Sequence, residues 1–248
     1  MATYKAPLED MRFVLNDVFE ADKLWASMSA TAEVTRDLSD AILDEAGKMV
    51  ENLLFPLNRE GDEQGCHFDN GAVTTPEGFK EAFKTYAENG WSAFSGNPEF
   101  GGQGMPKSLA VLFEEMMHSA NSSFALYPAL TNGATLCLDA HASEELKQAY
   151  LPKLYSGEWS GTMCLTEPHC GTDLGIMRSK AVPNTTAPTI SPAPKSSSPA
   201  VSTTWWTTSS TWYWPSCRTP PPAPRAFPCS WCPSSCPTPT AMPVSVTA

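Results

Sequence analysis

The composition of this chain changes abruptly at Asp173, and that break limits how much of it can fold. All 27 acidic residues lie at or before Asp173, and the last of the 15 glycines is Gly175. The final 75 residues hold five basic residues, no acidic ones, 15 of the 23 prolines and five of the eight tryptophans. A segment with few charges, much proline and no periodic apolar pattern cannot build a packed core. We therefore predict a folded part that ends near residue 183 and a disordered tail over residues 184–248.

The first 158 residues have the pattern of an all-α domain. Apolar residues recur at helical spacing over 7–20 and again from Leu38 to Leu54, where Pro56 is expected to end the second helix. Asp69-Asn-Gly71 indicates the turn of a short hairpin. Further helices are predicted from Thr75-Pro76 to Asn89-Gly90, and over 107–120, 121–139 and 143–155, with a glycine-rich loop over 95–106. The short segment Gly161–Thr166 predicts the first strand of a β domain over 159–183. The predicted fold class is therefore mainly α.

Several functions are disfavoured by the averages of the chain. No run of 18 apolar residues is present, so the sequence predicts no membrane span. The start lacks the apolar block of a signal peptide, which favours a cytoplasmic protein. The net charge of −11 argues against nucleic-acid binding, which needs Lys and Arg to neutralise phosphates.

For four motifs, a structural role is favoured over a catalytic or ligand-binding role. The four histidines show no metal-ligand spacing, so a structural or surface role is favoured for each: His67, His118, His141 and His169. Glu114-Glu115 fits a solvated helix face better than an acid/base pair, since adjacent helical residues do not share a face. The glycines at 101–104 lack the Lys-Ser/Thr of a phosphate loop. The tail cysteines include a zinc-type Cys-x-x-Cys step, but no histidine lies nearby and prolines flank them: Cys217, Cys229, Cys232 and Cys236.

The segment from Met163 to Leu174 has more specific chemistry. Its sequence is Met-Cys-Leu-Thr-Glu-Pro-His-Cys-Gly-Thr-Asp-Leu, which predicts a strand followed by a turn. Gly171 permits close approach of a ligand to the backbone, and Thr166 and Thr172 supply hydroxyls. Asp173 is placed to cap the next turn. A capping turn without any ligand is the alternative interpretation.

Leu165-Thr-Glu-Pro168 and Cys170-Gly-Thr-Asp173 resemble the flavin-contacting signature of acyl-CoA dehydrogenases. The lead-in Tyr150–Glu158 is similar to that of the same family. The opening Tyr4–Met11 resembles a long bacterial subgroup that includes methylmercaptopropionyl-CoA dehydrogenases. The resemblance covers residues 1–183.

The resemblance implies a helical N-terminal domain, here residues 1–158, a middle β-barrel domain that starts at 159–183, and a C-terminal helical bundle. FAD is expected between the last two domains, in a homodimer or higher oligomer. Five positions are implied as FAD contacts, the last also as an acyl-CoA contact: Met163, Leu165, Thr166, Gly171 and Thr172. No metal is implied.

The family reaction oxidises an acyl-CoA thioester to the 2-enoyl-CoA and passes electrons to an electron-transfer flavoprotein. Its base is a glutamate of the C-terminal bundle, and this chain has no Glu after Glu167. No catalytic residue is therefore expected in this chain, which is predicted to be an inactive fragment. An acyl-CoA oxidase fragment and a non-catalytic helical interaction module are the alternatives.

The tail reads as the product of a shifted reading frame. If one base is lost near Asn184, the codons of residues 195–202 permit an original Lys-Ile/Val-Phe-Ile-Ser-Gly-Gly-Glu. Residues 223–235 permit Gly-Thr-Lys-Gly-Ile-Ser-Leu-Phe-Leu-Val-Pro-Lys-Phe in the same frame. Both strings resemble later blocks of the family's middle domain. On this hypothesis Cys229 and Cys232 are remnants of Leu and Val codons, and the zinc interpretation loses its basis.

Overall fold

A computed structural model describes residues 3–70, 72–163, 167–176 and 178, together with two short strands in the tail. The protein is mainly helical, as predicted. Its α-helices are α1 (Leu8–Arg12), α2 (Ala21–Ala26), α3 (Arg36–Met49), α4 (Phe55–Gln64), α5 (Phe79–Glu88), α6 (Lys107–His141) and α7 (Glu144–Tyr155). No helix in these ranges is long and apolar enough to cross a membrane.

Two wide π-helical turns extend the first helices. Residues Phe13–Val18 prolong α1, and Val50–Leu54 join α3 directly to α4. The prediction that Pro56 ends this helix is therefore wrong. Pro56 lies in the first turn of α4, and the π-helical turn before it carries the helix into that turn, with the Phe55 N–H donating to the Val50 carbonyl.

A short hairpin and a glycine set the start of α5. Strands β1 (His67–Asp69) and β2 (Ala72–Thr74) pair antiparallel around the predicted turn. The helix begins at Phe79 rather than at Thr75-Pro76. Gly78 precedes it with φ +83°, a left-handed conformation that glycine adopts without strain. The predicted end at Asn89-Gly90 is confirmed.

Asn121 breaks α6 into the two predicted helices. Its φ of −154° and ψ of 85° are not helical, although hydrogen bonding continues on both sides. The side chain is fully buried; its Nδ2 donates to the Leu54 carbonyl over 3.0 Å, and its Oδ1 accepts from the Phe124 N–H over 3.0 Å. Asn121 thus caps the second half of α6 and fastens it to the α3–α4 junction.

The core is an aromatic cluster between α5 and α6. The Tyr86 ring stacks on the Phe113 ring with 6.3 Å between the ring centroids, and it meets the Phe124 ring edge-on at 6.0 Å. The ring centroids of Trp91 and Phe113 are 4.3 Å apart. Trp25 of α2 is buried as well, and its indole N–H donates to the Ser108 hydroxyl over 3.2 Å. A smaller cluster joins α7 to the end of α6 and the glycine-rich loop: Ala93, Phe100, Leu138, Leu151, Leu154 and Tyr155.

Strand β3 (Ser160–Met163) lies against the second half of α6. The Thr131 hydroxyl accepts from the Gly161 N–H over 3.2 Å. Strand β4 (Ser209–Trp212) pairs parallel to β3, and β5 (Val244–Thr247) pairs antiparallel to β4. The prediction of disorder is therefore wrong for these eight residues. Their β-branched and aromatic residues favour strands, and β3 offers an edge with which a strand can pair.

Candidate functional site

The five positions implied as FAD contacts fall on β3 and on the turn that follows it. Met163 is the last residue of β3, placed there by its backbone. Leu165 and Thr166 lie outside the described residues. Gly171 and Thr172 are both exposed at the outer end of a loop that runs from Glu167 to Arg178.

In that loop, residues 167–178, hydrogen bonds from both ends meet at Glu167. The Glu167 N–H donates to the Cys170 carbonyl over 2.9 Å, and the Cys170 N–H donates back over 3.0 Å. At the far end, the Arg178 N–H donates to Glu167 Oε2 over 2.9 Å. The Glu167 side chain is only 1% exposed, so this carboxylate is a buried anchor that joins both ends of the loop.

His169 and Asp173 brace the interior of the loop. His169 Nε2 lies 3.2 Å from the Ile176 carbonyl oxygen and 3.5 Å from Glu167 Oε2. Asp173 Oδ1 accepts from the Gly175 N–H over 3.0 Å, which confirms its predicted capping role at the 3₁₀ turn Leu174–Ile176. The sequence prediction missed the anchoring role of Glu167; the signal was a single carboxylate in the segment Gly161–Cys170.

The outer turn leaves polar groups free for a ligand. Among the described residues, none of the hydrogen bonds engages the N–H of Gly171, the N–H of Thr172 or the Thr172 hydroxyl. Such groups can donate to the polar edge of a flavin or to an acyl thioester. The described part of the loop therefore leaves donors available at Gly171 and Thr172.

The glycine-rich loop has a structural role. The N–H of Gly102 donates to Asn97 O and that of Gly104 to Gly96 O, both over 2.9 Å. A side chain at Gly102 would overlap the backbone of Gly96, so glycine is required there. Asn97 Nδ2 also donates to Asp139 of α6 over 2.9 Å. Because these donors are used internally, the loop does not offer them to a phosphate.

A small open cleft lies beside this loop, lined by Trp91, Phe113, Glu114, Asp139 and Tyr155 among others. Lys107 Nζ donates to the Ser95 hydroxyl over 2.6 Å at its side. Glu114 is half-buried in the cleft and Glu115 is exposed, so the two carboxylates do not form an acid/base pair. Of the described positions implied as FAD contacts, neither Gly171 nor Thr172 lines it.

No group of three or more His, Cys, Asp or Glu side chains in the described ranges is arranged to hold a metal ion. His67 and His118 are exposed. The four tail cysteines, Cys217, Cys229, Cys232 and Cys236, lie outside the described residues.

The described residues form a helical bundle followed by the strand β3 and a closed Glu-Pro turn. The family described as "Acyl-CoA dehydrogenase, N-terminal domain" matches residues 36–158. The chain therefore belongs to the acyl-CoA dehydrogenase family through this domain.

Known proteins agree with this assignment. The chain is 39% identical to 3-methylmercaptopropionyl-CoA dehydrogenase of Ruegeria pomeroyi over 181 residues, 73% of this chain and 31% of that protein. It is 36% identical to butyryl-CoA dehydrogenase of Syntrophomonas wolfei over 190 residues, 74% of this chain and 30% of that protein. The acyl-CoA dehydrogenase of Bacillus anthracis in complex with FAD shares the fold, with a TM-score of 0.50 and 23% identity over 60% of this chain and 24% of that one. The chain spans about a third of the length of these curated relatives.

Proposed function

We propose that this chain is the N-terminal part of an FAD-dependent acyl-CoA dehydrogenase, an oxidoreductase that introduces a double bond between Cα and Cβ of an acyl-CoA thioester. The observation that carries the proposal is the closed loop after β3, which presents unused donors at Gly171 and Thr172. Its position after a helical domain of this family supports the same conclusion.

Bound FAD would supply the hydride acceptor of this reaction. In the proposal, Met163, Leu165 and Thr166 line the flavin, and Gly171 and Thr172 donate hydrogen bonds to the flavin and the thioester. Fixed donors of this kind stabilise charge that develops on the reacting groups without needing to reorganise. The catalytic carboxylate is assigned to the part of the longer relatives that this chain does not span, so we propose no catalytic residue here.

For substrate, we propose a short acyl-CoA, with 3-methylmercaptopropionyl-CoA to be tested first. Two relatives of similar identity are described as acting on different acyl groups, one on 3-methylmercaptopropionyl-CoA and the other on butyryl-CoA. We propose an electron-transfer flavoprotein as electron acceptor and a homodimer as the minimal assembly of the intact enzyme, located in the cytoplasm.

Flavin absorbance tests the proposal. The completed protein joins residues 1–178 of this chain to the remaining part of the Ruegeria pomeroyi relative, and we expect it to carry FAD that bleaches when either acyl-CoA is added. The 248-residue chain alone should neither retain FAD nor turn over, because the base and the remaining flavin contacts are assigned elsewhere. A folded completed protein without FAD would contradict the proposed function. Stoichiometric FAD and turnover in the chain alone would contradict its fragment character.

A further inference from the structure

His169 makes two contacts in the loop that nothing in the family signature explains. Its Nε2 faces the Ile176 carbonyl at 3.2 Å and the Glu167 carboxylate at 3.5 Å. Both neighbours are hydrogen-bond acceptors, so Nε2 is the ring nitrogen that carries the hydrogen and donates. His169 thus lies between the first turn of the loop and its returning end.

We propose that His169 is a positioning residue that holds Ile176 close to Glu167 and thereby fixes Gly171 and Thr172 for their ligand. The inference rests on the proposed function for the identity of that ligand. Two other contacts of the loop are local: the Glu167–Cys170 pair closes the first turn, and the Asp173–Gly175 bond spans two positions. The Arg178 N–H is the second point at which the returning chain is held to Glu167.

The hydrogen bond of His169 goes to the Ile176 carbonyl, and its ring also lies beside a buried carboxylate. The Glu167 side chain is 1% exposed and the His169 side chain is 32% exposed. A hydrogen bond that ends on a buried carboxylate is stronger than one in water, since water does not compete for it. The far end of the loop returns to the same carboxylate through the Arg178 N–H, so His169 and Arg178 restrain neighbouring points of one segment.

Hydrogen exchange on the full chain tests the positioning role. In His169→Leu, which keeps bulk and removes the donor, the amide of Arg178 and the peptide over 173–178 should exchange roughly five-fold faster, as expected for loss of one hydrogen bond. His169→Gln restores an N–H at a similar reach and should return exchange to within about two-fold of the wild type. His118→Leu, at an exposed position on α6, is the matched control and should leave these amides unchanged. Unchanged exchange in His169→Leu would overturn the proposal.

FAD titration of the completed protein provides the functional readout. His169→Leu should weaken FAD binding roughly five-fold with the helical domain still folded, and His169→Gln should restore it. Equal FAD affinity in His169→Leu and wild type would overturn the positioning role. If the completed wild type binds no FAD while the exchange results stand, the proposed function fails and the role of His169 in holding the loop is supported.

Discussion

At the residue scale, Tyr86 makes the stability of the fold sensitive to alkaline pH. It is buried among aromatic rings, and its hydroxyl donates to the Trp91 carbonyl over 3.2 Å. Burial, with a smaller contribution from the Glu114 carboxylate, raises the pKa of Tyr86 above its ordinary value of 10.0. Above pH 10 the unfolded chain releases this proton while the folded chain keeps it. Stability is therefore complete below pH 10 and falls as pH rises toward the folded pKa.

Substitution Tyr86→Phe should remove this dependence. At pH 8 it should cost about 1 kcal/mol, since the hydrogen bond to Trp91 is lost. Above pH 10 the free energy of unfolding of the variant should fall less steeply than that of the wild type, by up to about 1.4 kcal/mol per pH unit. Urea unfolding at a series of pH values measures both effects. Identical pH slopes would contradict the assignment to Tyr86.

At the residue scale, only part of the site could be predicted from the sequence. Residue type singled out Gly171, Thr172 and Asp173, while the flavin roles of Gly171 and Thr172 came from the family resemblance and stay predictions. The Asp173 cap is confirmed because a cap depends on neighbours two positions away. The pairing of Glu167 with Arg178 joins residues 11 positions apart. Such closure depends on the three-dimensional course of the loop, and no local pattern encodes it.

At the element scale, Asn121 determines the direction of the second half of α6. Replacing it with alanine removes the side-chain hydrogen bonds to the Leu54 carbonyl and from the Phe124 N–H. We expect Asn121→Ala to destabilise the protein by about 2 kcal/mol, the cost of two lost buried hydrogen bonds. Thermal unfolding followed by circular dichroism measures it.

The neighbouring Ser122→Ala is the control for this prediction. Ser122 is exposed, and its hydroxyl donates only to the His118 carbonyl one turn earlier on the same helix. Its loss should change stability by less than about 0.5 kcal/mol. Equal losses in the two variants would show that the break in α6 is not held by the Asn121 side chain.

Helices were predictable as elements, but their junctions were not. The boundary near 120 and the end of α5 were correct, because periodicity and Asn-Gly signals are local. Pro56 was assigned as a stop on local grounds, yet the π-turn Val50–Leu54 allows the helix to continue through it. Packing of this junction against Asn121 favours that geometry, and a single-sequence pattern does not contain that contact.

At the scale of the whole molecule, apolar side chains are exposed unevenly. Of the 12 large apolar side chains that the described residues expose, six lie between positions 13 and 28: Phe13, Val14, Val18, Phe19, Leu24 and Met28. A cluster of exposed apolar residues favours association. We therefore expect the isolated chain to self-associate at high concentration, measurable by sedimentation velocity.

The double variant Phe13→Ser/Phe19→Ser should reduce this association at least several-fold at equal concentration. Phe68→Ser is the matched control, because Phe68 on β1 is 74% exposed but lies outside the cluster. If both proteins associate as strongly as the wild type, the cluster is not the contact surface.

The origin of the tail can be settled at the nucleic-acid level. We expect the genomic locus to contain a single-base change near the codon of Asn184, and a longer frame beside it that encodes the rest of the middle domain. Sequencing of the locus from the source measures this directly. An intact register with no longer frame alongside would contradict the frameshift hypothesis.

The contact between Asn121 and Leu54 has a consequence for protein engineering. The second half of α6 supports β3 through Thr131, and its angle is fixed by a carbonyl that belongs to the α3–α4 junction. The direction in which β3 leaves the bundle therefore depends on a turn more than 100 positions earlier in the chain. If the strand and its loop were grafted onto another helical scaffold, the contact between Asn121 and Leu54 would be lost. Residues 36–163 are therefore the smallest segment to exchange between homologues as one unit.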